Sequence, residues 1–547
     1  MIYLKKTFYI VVLLIGLSAI SYAQKYEKQF NKMLNEKYLP TEPGATALVA
    51  INGEIVYYKA FGIANLELNV KMEPDMVFEI GSITKQFTAV SILMLKEQGK
   101  LNLDDDITKF IKDYPTHGHN ISIHHLLTHT SGIKSYTSME NWAPVWRKDF
   151  EPNELIDFFK NEPMDFAPGE EFRYNNSAYF ILGYIIEKVS GQTYEQFIET
   201  NIFKHLGMNS SFYGSNSEII KKRAYGYQKQ EDFVNAEYLS LTQPYAAGSI
   251  MSTVNDLFIW NRAIRSNKLI KKESIELAFT NYELNNGEKI NYGYGWFINE
   301  INGSPTIEHG GGIFGYITNS IYIPNEDVFI AVFSNCDCNG PGQISTEMAA
   351  IAIGKPYPNE KDIVSLESDY LKKLVGVYDF EDSTSRIITL EGNQLYSQRK
   401  GSTKFKLFSI NEDLFFFENS FATIQFKENG NELESIFISR INKTKGVKTD
   451  KPIPVHNEIQ LNSEILKKYI GVYEINPGFN ITITLEDGKL MSQATGQEKF
   501  EIFAESQTNF FLKVVDAQIE FVKSDNDNYE SFILYQGGQE IIGKKKD

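Results

Sequence analysis

The spacing of hydrophobic positions changes along the chain and predicts where strands and helices lie. Segment 47–58 contains two apolar-rich runs separated by Asn52 and Gly53, a pair favoured in a tight hairpin turn. Two longer segments, Ser82–Gln98 and Ser177–Val189, follow the helical period. Strand-like runs return between residues 320 and 333. Strands at both ends with helices between them predict an α+β domain, whose antiparallel sheet is closed by its N- and C-terminal segments and flanked by helices.

The C-terminal third of the chain contains an internal repeat. Three anchor segments recur at an offset of 95 residues: 371–378 as 466–473, 390–398 as 485–493, and 422–426 as 517–521. Short alternating runs separated by Gly, Asn and Asp turns lie between these anchors, as in antiparallel β-meanders. We predict two small β-barrels, at 366–441 and 461–545, joined by a polar linker at 442–460.

Composition and the N-terminal segment restrict the classes of function. Acidic residues outnumber basic ones by 70 to 54, and no basic block appears, so nucleic-acid binding is not expected. Residues 1–23 contain two lysines, an uncharged apolar run and a small-residue end, which indicates a cleaved secretory signal. We therefore expect an exported protein, periplasmic or extracellular. An uncleaved segment would instead anchor the chain in a membrane.

Two cysteines, Cys336 and Cys338, are the only thiols of the chain. Export would permit a disulfide. The loop between the two cysteines is too tight for relaxed disulfide geometry in an extended chain, so we expect two free thiols at a strand end.

Three motifs, in chain order, carry candidate chemistry. Ser82 and Lys85 are three residues apart at a predicted helix start, so they share one helix face, and a neutral lysine amine there can take the serine proton. Tyr174 opens a Tyr-Asn-Asn loop before the second helix. A glycine run at 310–312 enters a late strand, where it permits close approach of a ligand to the backbone. Each motif alone also has a structural interpretation as a helix cap or a loop.

Together the three motifs resemble those of the serine β-lactamase and penicillin-recognising hydrolases, which combine Ser-x-x-Lys, a Tyr-x-Asn loop and a Lys/His-Thr-Gly strand. Segments 125–133 and 246–256 also resemble landmarks of this family. The chain resembles the class C branch, which includes D-alanyl-D-alanine carboxypeptidases, D-aminopeptidases and esterases. The resemblance implies a catalytic domain over 24–355, and the repeats resemble lipocalin-like domains that follow some catalytic domains of this kind.

The resemblance also implies a role for each motif residue. Ser82 would be the acylating nucleophile, Lys85 its proton acceptor, and Tyr174 a general base or acid. The residues implied in substrate binding are Asn176, His309, Gly311 and Gly312. The N–H groups of Ser82 and Gly312 would form the oxyanion hole. No cofactor is implied.

Two sequence features bear on alternative activities. His309 stands where class C β-lactamases have Lys, and Gly310 replaces the usual Thr, so efficient β-lactam hydrolysis is not expected. Five histidines between His117 and His129 have spacings like those of metal ligands, but no nearby carboxylates complete a known pattern, so no metal site is expected.

The sequence therefore predicts an exported serine hydrolase that acts through an acyl-enzyme on an amide or ester. Its partner would be a small-molecule or peptide substrate, with peptidoglycan-derived molecules among the options, such as a D-amino-acid peptide or a carboxylic ester. A non-catalytic binder of peptidoglycan fragments and a weak β-lactamase are the alternatives. The repeats would cap the cleft or bind a separate ligand.

Overall fold

The computed structural model describes residues 26–399, 402–430, 432–454, 456–476, 478–524, 528–536 and 539–546. The predicted signal segment 1–23 lies outside the described residues. The chain divides into two compact units, Met1–Tyr357 and Pro358–Asp547. Among the residues described, none of the helices has the length and apolar character needed to cross a membrane.

The first unit is built on an antiparallel sheet whose strands come from both ends of the unit. In chain order they are β1 (Ala45–Ile51), β2 (Glu54–Phe61), β3 (Phe297–Ile301), β4 (Ser304–Ile313), β5 (Tyr316–Ile323) and β6 (Val328–Ser334). Their spatial order is β3–β4–β5–β6–β1–β2, so the N-terminal hairpin pairs with the C-terminal strand. The predicted α+β class and the closure of the sheet by both ends are confirmed.

Alternate residues of this sheet pack on opposite faces. Leu48 and Phe333 belong to a large core under the helical part of the unit. Val49 and Ile330 face the other way and pack against two helices, 26–37 and Gly342–Ala352. The sheet is therefore covered on both sides, which explains why β1 and β6 are almost continuously apolar.

The remaining elements of the first unit connect these layers. Its other helices are Thr84–Glu97, Ile123–Leu127, Pro152–Phe159, Asn176–Ser190, Tyr194–Ile198, Lys204–Leu206, Val254–Ile264 and Lys272–Ala278, with a π-helical segment at Glu199–Phe203. Short 3₁₀ turns lie at Gly81–Ile83, Ile107–Lys109, Tyr136–Ser138, Ala143–Val145 and Tyr245–Ala247. Short strands lie at Ile63–Asn65, Val70–Lys71, Phe78–Glu79, Phe212–Tyr213, Tyr227–Lys229, Phe233–Asn235 and Ile250–Ser252.

The expectation of two free thiols is wrong. Cys336 and Cys338 form a disulfide, with their Cα atoms 5.1 Å apart, inside the usual range for such bonds. The geometry of an extended chain does not apply, because β6 ends at Ser334 and the cysteines lie in the turn beyond it. A bend of the backbone there brings the two sulfurs together.

The second unit contains two closed antiparallel barrels, as the repeat predicts. Within the described residues, barrel 1 has strands Gly376–Phe380, Ser385–Glu391, Gln394–Arg399, Lys404–Ser409, Leu414–Phe417, Thr423–Asn429, Glu432–Ser439 and Asn442–Thr449. Barrel 2 has strands Gly471–Asn476, Phe479–Glu486, Lys489–Ala494, Lys499–Ala504, Asn509–Leu512, Ala517–Lys523, Tyr529–Gln536 and Gln539–Lys545. Short helical segments at Glu360–Asp362, Ser368–Leu374, Ser463–Leu466 and Lys467–Tyr469 precede the barrels.

The predicted linker is partly wrong, because its first eight residues form the closing strand of barrel 1. Asn442–Thr449 pairs with both Glu432–Ser439 and Gly376–Phe380. The lysines of this segment made it resemble a polar linker. Only one face of a barrel strand must be apolar, however, so a strand can carry several lysines on its other face. On the inner face of this strand, Gly446 lies under the Phe380 ring. The first barrel therefore extends beyond its predicted end at residue 441.

The same tether occurs at the start of each barrel. The Tyr378 hydroxyl donates to the Leu374 carbonyl at 2.8 Å, and the Tyr473 hydroxyl donates to the Tyr469 carbonyl at 2.9 Å. Both tyrosines are fully buried and join a helical turn to the first strand. This buried hydrogen bond gives a physical reason for the strongest repeated segment of the sequence.

We predict that residues 24–357 fold without the barrels. Every residue of the two cores around the central sheet lies within this part of the chain, and every residue of the barrel cores lies outside it. A fragment ending at Tyr357 should show cooperative thermal unfolding by circular dichroism, and so should the complementary fragment 358–547. Broad, non-cooperative melting of the first fragment would contradict the prediction.

Candidate active site

Ser82 lies in a tight turn that leads into helix Thr84–Glu97. The turn, Gly81–Ile83, is 3₁₀-helical, and Gly81 has a φ of +52°, which favours glycine. A Cβ on Gly81 would lie 2.9 Å from the backbone nitrogen of Gly312, so the turn sits directly against β4. The predicted serine motif and the predicted glycine strand are therefore in contact.

Lys85 lies under Ser82 and is fully buried. Its Nζ is 3.1 Å from Ser82 Oγ, 2.8 Å from Asn176 Oδ1 and 2.9 Å from the Ala247 carbonyl oxygen. It also lies 4.7 Å from the centre of the Tyr174 ring. Three distant parts of the chain thus meet at one amine.

Burial lowers the pKa of Lys85 well below its usual range. No described carboxylate forms an ion pair with this side chain, so little offsets the cost of an ammonium charge. A neutral amine has two N–H donors and one lone pair. The Asn176 and Ala247 oxygens can only accept, so they take the two donors and leave the lone pair for the Ser82 hydroxyl. The geometry suits proton transfer from Ser82 to Lys85.

Tyr174 also lies beside this pair. Burial raises the pKa of its hydroxyl, and the nearness of Ser82 opposes this effect only partly. Apart from this interaction with Ser82, the buried hydroxyl meets no hydrogen-bond partner among the described residues. Tyr174 is therefore a protonated group next to the nucleophile.

His129 supports Tyr174 from below. Its ring lies 4.3 Å from the Tyr174 ring, and its Nδ1 accepts a hydrogen bond from the Asn175 backbone at 3.0 Å. Asn175 in turn caps helix Asn176–Ser190 by accepting from the Ala178 N–H at 2.9 Å. Burial and the neighbouring Lys85 keep the pKa of His129 well below its usual range. The motif loop is thus fixed by a neutral histidine that the sequence indicated only as part of the histidine cluster, without this role.

Other histidines of the predicted cluster have structural partners. His124 Nδ1 lies 2.9 Å from the Tyr294 hydroxyl. His125 Nδ1 accepts from the Ser122 N–H at 3.3 Å, which completes a helix cap. In the described part of the chain, no group of three or more potential ligands is placed to hold a metal ion.

The glycine strand separates its predicted residues into two groups. Gly312 faces open space, whereas a Cβ on Gly311 would lie 1.9 Å from the Ile80 carbonyl oxygen. His309 is buried, and its Nε2 lies 3.1 Å from the Tyr292 hydroxyl. Burial, with a smaller effect of Lys85, lowers the pKa of His309 to about 3. Of these three residues, only Gly312 reaches the cavity described next, while Gly311 and His309 pack behind it.

A cavity of about 390 Å³ opens in front of Ser82. Its walls are formed by Gly81, Ser82, Tyr136, Thr137, Trp142, Asn176, Leu239, Pro244, Ala247, Gly248, Gly312, Ile313, Phe314, Tyr316, Ile317 and Asp337. Asn176 is held in place by donating from Nδ2 to Thr137 Oγ1 at 3.1 Å. The sequence did not assign these aromatic residues or Asp337 to the site.

Residues 35–353 match the protein family described as Beta-lactamase. That match covers more than half of the chain. The chain belongs to the beta-lactamase family. A second match, over 455–545, is to a domain of unknown function called DUF3471, which corresponds to barrel 2 and the residues before it.

Relatives extend the similarity beyond the beta-lactamase-family domain. The chain is 31% identical over 428 residues to penicillin-binding protein 4* of Bacillus subtilis, covering 74% of this chain and 93% of that protein. It is similar to the octameric penicillin-binding protein homologue from Pyrococcus abyssi, with 29% identity, a TM-score of 0.53, and 78% and 99% coverage. A D-stereospecific amidohydrolase from Streptomyces sp. is 25% identical, with a TM-score of 0.51 and 58% and 96% coverage.

We predict different effects on stability for two neighbouring glycine substitutions. Gly311→Ala places a methyl group 1.9 Å from the Ile80 carbonyl oxygen, and the backbone cannot move away cheaply. It should lower the free energy of unfolding by about 1–3 kcal/mol, the usual cost of overpacking. Gly312→Ala meets no atom within 4 Å and should change stability by no more than about 0.5 kcal/mol. Urea unfolding of both variants tests this, and equal stabilities would contradict it.

We also predict that acid destabilises the protein through its buried histidines. The unfolded chain binds a proton at each histidine below about pH 6.5, but His309 in the fold resists protonation until its pKa of about 3. Stability should therefore fall as pH decreases from about 6.5 towards 3, by up to about 1.4 kcal/mol per pH unit for each such group.

The control for this acid effect compares two histidine variants. His309→Gln should reduce the slope of unfolding free energy against pH between pH 4.5 and 6.5, whereas His205→Gln, at an exposed position, should leave it unchanged. Identical slopes in the wild type and in His309→Gln would remove His309 from the explanation.

Proposed function

We propose that this chain is an exported serine hydrolase that cleaves an amide or ester through an acyl-enzyme on Ser82. The observation that carries the proposal is the 3.1 Å approach of Ser82 Oγ to a buried lysine amine whose two other partners can only accept hydrogen bonds. A serine hydroxyl is a weak nucleophile unless an adjacent base takes its proton. Lys85 supplies that base.

Acylation would proceed in two proton transfers. Ser82 Oγ attacks the substrate carbonyl carbon, and its proton passes to Lys85 Nζ. The tetrahedral intermediate then collapses, the bond to the leaving nitrogen or oxygen breaks, and Tyr174 donates its proton to that atom. The protonated Lys85 lies 4.7 Å from the Tyr174 ring centre and stabilises the phenolate that forms.

The developing oxyanion would be bound by the N–H groups of Ser82 and Gly312. Ser82 lies in the first helical turn, where backbone N–H groups have no partner within the helix. The contact between Gly81 and Gly312 brings the N–H of Gly312, on β4, close to the N–H of Ser82. Water then attacks the acyl carbon and loses a proton to the Tyr174 phenolate. The bond from the acyl carbon to Ser82 Oγ breaks, and Ser82 Oγ takes back the proton held by Lys85.

The substrate class follows from the cavity and from the relatives. An aromatic-lined space of about 390 Å³ suits a small acyl group with an apolar side chain. The similar Streptomyces protein is a D-stereospecific amidohydrolase, so D-amino-acid amides, their short peptides and simple carboxylic esters are the proposed substrates. Asn176, with Thr137 behind it, would hydrogen-bond the substrate amide.

A neutral His309 and a cavity without a described lysine or arginine disfavour the β-lactamase alternative, because a β-lactam carboxylate would find no positive charge. The joint presence of Ser82, Lys85 and Tyr174 disfavours a purely binding role. Export is supported by the N-terminal pattern and by the Cys336–Cys338 disulfide, which suits an oxidising compartment.

We predict a single covalent adduct on Ser82. A fluorophosphonate probe should add once to the wild type, and peptide mapping should locate the label at residue 82. The Ser82→Ala variant should be neither labelled nor able to turn over p-nitrophenyl acetate. An adduct elsewhere, or full activity in Ser82→Ala, would exclude the mechanism.

We predict that Tyr174→Phe lowers kcat by about 10²–10⁴-fold, the usual contribution of a positioned proton donor.

A further inference from the structure

One formally charged side chain lines the active-site cavity in the described part of the chain, and it is an acid. Asp337 lies between the two bonded cysteines, just beyond β6, and is partly buried. It reaches the end of the cavity formed by Ile313, Phe314 and Tyr316, at the turn between β4 and β5. The proposed reaction does not use it.

Asp337 is held on several sides. Its Oδ2 accepts hydrogen bonds from Gln228 Nε2 at 2.8 Å and from the Gly315 N–H at 3.3 Å. Its backbone N–H donates to the Tyr227 carbonyl at 3.2 Å. The disulfide closes the chain on either side of it. The second carboxylate oxygen, Oδ1, accepts no hydrogen bond from the residues that the structure describes, so it is available to a ligand.

The aromatic residues that line the cavity add no charge to its surface. The Tyr136 hydroxyl donates to the Gln243 carbonyl, the Trp142 indole N–H to the Gln243 side chain, and the Tyr316 hydroxyl to the Ala224 carbonyl. Their polar atoms are therefore engaged outside the cavity, and the cavity surface they provide is aromatic carbon. Such surfaces accommodate cations through the ring quadrupole, and among the described residues that line the cavity Asp337 carries the one carboxylate.

We propose that Asp337 binds a cationic amino group of the substrate and that the Cys336–Cys338 disulfide positions it to do so. The proposal rests on the proposed function and narrows it to amides and esters that carry a protonated amine. Charge-assisted hydrogen bonds between ammonium and carboxylate groups are stronger than neutral ones. A substrate with a carboxylate at this end of the cavity would be repelled.

The test compares matched substrates with and without an amine. The probes are the p-nitrophenyl esters of 5-aminopentanoic and pentanoic acid, and the p-nitroanilides of D-alanine and propanoic acid. In the wild type the amine-bearing member of at least one pair should have the higher kcat/KM. Asp337→Asn, which keeps the shape and can still accept from Gly315, should lower that preference by about 10–100-fold, mainly through KM.

Two further variants separate charge from shape. Asp337→Glu should recover part of the preference, because it restores the charge. Glu231→Gln removes an exposed carboxylate that does not line the cavity and should leave every rate unchanged. An equal loss for amine-bearing and neutral substrates in Asp337→Asn would mean that Asp337 only holds the turn at Gly315, and it would overturn the proposal. A wild type with no preference would also overturn it.

The role of the disulfide is tested by the double variant Cys336→Ser/Cys338→Ser and by dithiothreitol treatment of the wild type. Both should reduce the preference for amine-bearing substrates. A preference unchanged in both would overturn the positioning role.

A binding measurement keeps this proposal distinct from the proposed function. Isothermal titration of the Ser82→Ala variant with D-alaninamide and propanamide, and with 5-aminopentanamide and pentanamide, needs no turnover. Tighter binding of the amine-bearing member of at least one pair, lost when Asp337→Asn is added, would support Asp337 even if no ester is hydrolysed. Equal affinities in the presence and absence of Asp337 for both amine-bearing compounds would overturn it even if Ser82 proves to be the nucleophile.

Discussion

The burial of the Lys85 amine without a described counter-ion is the constraint on which the site depends. An ammonium charge at this position would lose its hydration and gain only dipolar partners, so the neutral form is favoured. The neutral form then requires two acceptors and one donor in fixed directions. Asn176, Ala247 and Ser82 meet that requirement from three separate parts of the chain. The fold of the first unit can be understood as the scaffold that brings these three groups to one amine.

The same exclusion of water determines the charge of the whole site. His309 and His129 are both buried next to Lys85, and burial is the main reason why both are kept neutral. A site with three basic side chains therefore presents little positive charge. The described wall of the cavity adds aromatic carbon and one carboxylate. Under the proposed role of Asp337, selection of substrates by charge would depend on this carboxylate and not on the basic residues of the motifs.

The sequence predicted the elements that obey local rules. Turn chemistry predicts the hairpin at Asn52, and periodicity predicts the two long helices. Short-range spacing along the chain gives the three motifs in their order. The structure has all of these features. The contact between Gly81 and Gly312 was implied only by resemblance, because nothing local links residues so distant in the chain. The wall formed by Trp142, Phe314 and Asp337 was not predicted, since it belongs to loops whose positions depend on the packing of the whole unit. The disulfide was missed because its geometry depends on a backbone bend that the extended-chain assumption excluded.

In the two barrels, the residues that determine the backbone repeat, whereas the residues of the interior do not. Tyr378 and Tyr473 are equivalent in the repeat, and both tether a helical turn, because loss of that buried hydrogen bond would leave a polar group unpaired. The side chains that fill the barrel interior are less constrained than these tyrosines, because different side chains can occupy equivalent positions. Arg386 lies 3.7 Å from the Phe437 ring centre in barrel 1, with its pKa lowered by burial to about 10, whereas the equivalent residue of barrel 2, Ile481, belongs to an apolar core. A repeat of this kind predicts a common backbone, but it does not predict a common interior, so similarity in fold between the barrels is no argument for a shared ligand or role.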